Sequence, residues 1–113
     1  MKITPKTMSM IYEMLRYLPP FNRWRLPHES YICFSKLKTS QFFGDFTPHD
    51  QRPRIRITTK VKSLPMLVET LAHEMCHLKE GMSGRDNGEE HGKEFKRLAH
   101  IVCKELGFTE KDF

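Results

Sequence analysis

Residues 71–81 read LAHEMCHLKEG, and the fold turns on whether this stretch is helical. In a helix, His73 and His77 stand at i and i+4, one above the other on one face. The flanks favour that reading. Ser63 can cap the start, Pro65 suits the first turn, and Gly81 is well placed to end the helix. Leu64, Leu67, Val68, Leu71, Met75 and Leu78 then fall on one side. At about 100° per residue, His73 and His77 fall on the other, with Glu74 about 60° from His77. The two histidines share their face with Thr70 and Met66, which implies a partly covered cleft rather than the core.

Two imidazoles at this spacing can chelate one tetrahedral zinc ion. Glu74, beside the first of them, is directed next to the metal, where it can take a proton from an attacking water. That is the hydrolytic arrangement of H-E-x-x-H. The bland alternative is a polar helix face that happens to hold two of the chain's 6 histidines. The bare motif proves little, so its context decides. A catalytic zinc needs three protein ligands and an open position. The last helix spans roughly 91–107, with Phe95, Leu98, Val102 and Leu106 as its buried stripe; one turn backward, the stripe reaches His91. His91 is therefore the preferred third ligand, and Glu90 and Glu94 compete with it. A metzincin pattern would need Gly at 80 and His at 83, where Glu80 and Ser83 stand. His28, His49 and His100 read as solvent or loop histidines.

The chain is 113 residues long, 38% hydrophobic and 29% charged. This fits one globular domain over 1–113 with a single modest core. No apolar run approaches 18 residues, and MKITPKTMSMIYEM at the start is too interrupted for a secretory signal. Cys33, Cys76 and Cys103 are unevenly spaced and form no CxxC pair. The expectation is a cytoplasmic protein with free thiols and no Cys-based zinc ribbon, Cys76 having no role in the site.

Thr4 and Pro5 open a first helix carrying Met8, Ile11, Leu15 and Leu18, which Pro19-Pro20 ends. Phe21 and Trp24 lie in the next loop and are expected in the core. Three strands follow: YICFSKL (31–37), TSQFFGDFTP (39–48) with Gly44 as a bulge or bend, and RIRITT (54–59). The fold class is α+β: an N-terminal helix, a small, mainly antiparallel three-stranded sheet, and two C-terminal helices carrying the zinc site.

TLAHEMCHLKEG (70–81) followed by EEHGKEF (89–95) resembles the SprT-like, or Spartan-like, zinc metallopeptidase domain, over about residues 20–106. FFGDF and RIRITT ahead of the motif are similar to it as well. The resemblance implies a zincin-like fold, zinc on His73, His77 and His91, and Glu74 as general base. The sequence shows no C-terminal zinc ribbon, so cleavage of proteins crosslinked to DNA is not implied.

The expected function is hydrolysis of peptide bonds in protein substrates. An extended substrate could pair with an edge strand beside the site helix, and RIRITT is the candidate. Tyr31, His49 and Arg85 are the candidates for stabilising the oxyanion. The net charge of +5 favours acidic partners mildly. Lys36, Lys38, Arg54 and Arg56 keep one parity on their strands and could form a basic outer face. Such a face is either a solvated sheet surface or a non-specific contact with nucleic-acid phosphates. The rival function is a non-catalytic, zinc-clamped module that binds nucleic acid or a partner protein. Glu74 favours the enzyme, because a structural clamp needs no base.

Overall fold

The computed structural model describes residues 2–38, 44–47, 52–83 and 91–113. Thr4 begins the first helix as expected. Its hydroxyl accepts a hydrogen bond from the Thr7 N–H at 3.2 Å, and Pro5 sits in the first turn of α1 (Pro5–Arg16), where a missing N–H costs nothing. Met8, Tyr12 and Leu15 form its buried side. The helix stops at Arg16, so Leu18, expected on the same stripe, is 44% exposed. Phe21 and Trp24 are buried and meet edge to face, with ring centroids 5.1 Å apart.

Strands β1 (Cys33–Leu37), β2 (Gly44–Thr47) and β3 (Arg54–Thr58) form one sheet in the order β1-β3-β2. β1 runs parallel to β3, and β2 runs antiparallel to it. The α+β class therefore stands, but the mainly antiparallel sheet does not. Strands adjacent in sequence usually pair as hairpins. Here β3 inserts between the two earlier strands, because its Ile55 and Ile57 are fully buried and the centre of the sheet is where both can be covered.

Two further expectations change with that order. β3 is flanked on both sides, so RIRITT is not an edge strand; β1 and β2 are the outer strands. In the parallel register Lys36 pairs with Ile57, and Cys33 and Ser35 pair with Arg54 and Arg56. Paired residues share a side of the sheet, so Lys36 lies on the opposite side from Arg54 and Arg56. The four-residue basic face does not assemble. Arg52 is also committed, donating to the Ser30, Tyr31 and Ile32 carbonyls at 3.1, 3.3 and 3.3 Å.

Gly44 is neither bulge nor bend but a point of close approach. It pairs with Ile57, and a Cβ built on it would lie 2.9 Å from Thr70 Cγ2 and 3.0 Å from the Arg56 carbonyl oxygen. The missing side chain lets β2 rest against α2 (Leu64–Ser83).

α2 touches α1, β2, β3 and α3 (Lys93–Leu106), so it is the element around which the others pack. Ser63 Oγ accepts from the Met66 N–H at 3.3 Å at its start. Gly81 does not end it. The helix continues to Ser83, since a glycine inside a helix costs only about 1 kcal/mol and its neighbours Leu78 and Glu80 are buried in place. α3 begins two residues later than expected, with Gly92 at its N-cap, and Gly107 closes it in the left-handed region at φ 81°. Among the described residues, no helix is long and apolar enough to cross a membrane.

Candidate metal centre

His73 and His77 project from α2 on the side away from Leu67, Leu71 and Leu78, as the spacing requires. His91 comes from the residue before the N-cap of α3, not from the helix itself. It reaches the same place nonetheless. One nitrogen from each of the three imidazoles lies within 4.8 Å of the others, and the ring centroids are 5.1, 5.1 and 5.2 Å apart. His73 and His77 are half-buried and His91 is exposed, so the cluster opens to solvent on the His91 side.

Phe95 forms the base of the cluster. Its buried ring stacks on His77 at 4.3 Å and lies 4.9 Å from His73 and 4.6 Å from His91. An apolar ring beneath three imidazoles keeps water off one side and leaves their nitrogens to face one another. Phe95 was legible as a core residue of the last helix; its contact with all three histidines was not.

The Nδ1 atoms are engaged from outside the cluster. His73 Nδ1 is 2.9 Å from the main-chain oxygen of Phe113. His77 Nδ1 is 3.6 Å from Glu80 Oε1, a carboxylate buried one turn further along α2. Neither Phe113 nor Glu80 was found by the sequence reading. Glu80 carried a signal, being a carboxylate three residues after His77 on the same helix face. Phe113 carried none.

Glu74 is 3% exposed on α2, between the two histidines. Cys76 is fully buried, and that burial pushes its thiol well up, with Glu74 and Glu80 adding to the effect. A thiol so buried packs in the core. Glu94 forms an ion pair with Arg97 and lies outside the histidine cluster. His28 is exposed and bonded to Ser30, and His100 is exposed and paired with Glu110. Tyr31 is 52% exposed at the head of β1. His49, Arg85 and Glu90 lie outside the described residues.

The donor set suits zinc. Zn–N bonds of about 2.0–2.1 Å in tetrahedral geometry put neighbouring ligand nitrogens roughly 3.3 Å apart, a modest contraction of the observed cluster. A family model described as SprT-like matches residues 18–111. The chain belongs to the SprT-like family. Its histidine trio therefore sits in a family that suggests a metallopeptidase-like domain. No curated protein sequence matches this SprT-like chain significantly.

Proposed function

We propose that residues 1–113 act as one SprT-like unit, a zinc-dependent metallopeptidase that hydrolyses peptide bonds in protein substrates. The observation that carries this reading is the convergence of His73, His77 and His91 from two elements onto one point, with nitrogens within 4.8 Å. Family membership supports it. Zinc held there would polarise the scissile carbonyl and make the attacking water more acidic.

The residues of the chain would do the rest. Glu74 would accept the proton released by the water and deliver it to the departing amine. Hydroxyl thus ends on the acyl carbon and the proton on nitrogen, as hydrolysis requires. Phe95 would hold the three imidazoles in place and exclude water from beneath them. Of the two outer strands, β2 is the one packed on α2, so an extended substrate would add there through main-chain hydrogen bonds.

Zinc content and cleavage of an unfolded protein such as casein test the proposal together. About one zinc per chain is expected, lost in the His73→Ala, His77→Ala double variant. Glu74→Gln keeps the shape but removes the proton acceptor. Zinc should remain while hydrolysis falls by a factor on the order of a hundred or more. Cleavage unchanged in Glu74→Gln would exclude this mechanism. A zinc-loaded chain with no cleavage would instead support a clamped binding module.

A further inference from the structure

Beyond α3 the chain turns back onto the site. Gly107 makes the reversal, its N–H donating to the Cys103 carbonyl at 2.9 Å. Phe108 and Phe113 then stack, with centroids 5.7 Å apart and ring planes 20° from parallel. His100 and Glu110, 2.9 Å apart, tether the intervening turn (Glu110–Asp112) to α3. The result brings Phe113 against a residue 40 positions earlier: its ring is 5.4 Å from that of His73, and its main-chain oxygen is 2.9 Å from His73 Nδ1.

We propose that Phe113 is a positioning residue of the metal centre, fixing His73 in the tautomer that presents Nε2 to the metal. A main-chain oxygen accepts hydrogen bonds and never donates them. The 2.9 Å contact therefore requires the proton of neutral His73 to sit on Nδ1, which makes Nε2 the unprotonated nitrogen. A free imidazole in water exchanges between tautomers and turns about its side-chain bonds. The Phe113 contact restrains both. Hydrogen bonds of this outer kind orient metal-bound histidines, and losing one typically costs 10–100-fold in metal affinity.

The aromatic side chain supplies the anchor. Stacked on Phe108 and packed against the core, the Phe113 ring holds its own main-chain oxygen at the imidazole. Nothing in H-E-x-x-H encodes this contact, and it acts on the first ligand only. It makes the segment from 108 to 113 part of the site rather than a trailing end of α3.

The proposal rests on the metal-site reading, and the test separates the two. Long-range proton–nitrogen NMR of the metal-free chain at about pH 8, where an ordinary imidazole carries one proton, reads each tautomer directly. His73 should be protonated on Nδ1 alone. Phe113→Ala should turn it into a tautomer mixture and weaken zinc about 10–100-fold in chelator competition, while Phe113→Leu, which keeps an apolar anchor, recovers most of the affinity. Phe113→Ala removes a ring packed on the core and should also lower the thermal midpoint of the metal-free chain, so the tautomer of His73 in the folded chain is the readout that separates positioning from folding. A native chain that takes zinc but carries the proton on Nε2 of His73 overturns the proposal alone. So does a Phe113→Ala chain with unchanged tautomer and affinity. A native chain that takes up no zinc overturns the site reading as well.

Discussion

At the scale of single residues, the three histidines are not equivalent. His73 and His77 are half-buried on one rigid helix with their Nδ1 atoms engaged by Phe113 and Glu80, whereas His91 is exposed and stands just outside α3. His91 closes the cluster from a less constrained position. His91→Ala should weaken zinc by more than about a hundredfold, beyond the usual effect of losing an outer contact. It should leave the metal-free midpoint almost unchanged, since an exposed side chain contributes within about 0.5 kcal/mol. His28→Ala is the matched control, and isothermal titration with zinc compares the pair. Glu94→Gln should also keep its zinc, because that carboxylate is engaged by Arg97. Loss of zinc in Glu94→Gln with normal binding in His91→Ala would make the site a two-histidine, one-glutamate centre.

At the scale of elements, β2 lies close on α2, the helix that carries His73 and His77. Gly44 permits that approach, and Thr70 shares the histidine-bearing side of α2. A methyl group at residue 44 would meet Thr70 Cγ2 at 2.9 Å and a main-chain oxygen at 3.0 Å. The hydroxyl-bearing side chain can give way, but the carbonyl oxygen belongs to the paired strand β3 and cannot move alone. Gly44→Ala should therefore destabilise the chain by about 1–3 kcal/mol in urea unfolding. Thr70→Ser, which removes only the crowded methyl, should recover part of that loss in the double variant. Strict additivity of the two substitutions would show that β2 and α2 are not coupled at this point.

Over the whole molecule, the metal would join parts that the chain otherwise holds by packing. The three histidines connect α2 to the start of α3, and Phe113 draws in the segment that follows. Zinc would bind the folded arrangement and find no such cluster in the unfolded chain. At a free concentration about a hundred times its dissociation constant, it should add about 2.7 kcal/mol of stability. For a chain of this length that is a rise in Tm on the order of 10 °C, read by scanning calorimetry with zinc and again with a chelator. The His73→Ala, His77→Ala double variant should show no such rise. A native Tm indifferent to zinc would mean that the cluster holds no metal.

The parts of this protein written in its sequence are those governed by near neighbours. Helical spacing placed His73 and His77 on one face of α2, cap chemistry placed Thr4 and Gly107 at helix ends, and bulk and apolarity put Phe21, Trp24 and Phe95 inside. His91 was legible through its distance from Phe95, although the helix starts only after it. The sheet was not legible in the same way. Alternation along RIRITT says which of its own residues share a side, but nothing about which strand will lie beside it. Strand order, the central place of β3 and the separation of Lys36 from Arg56 were decided by where the chain could bury Ile55 and Ile57. The bond from Phe113 to His73 belongs to the same class. It joins residues 40 apart through a main-chain oxygen, an atom every residue carries, so only the folded path of the chain could select it.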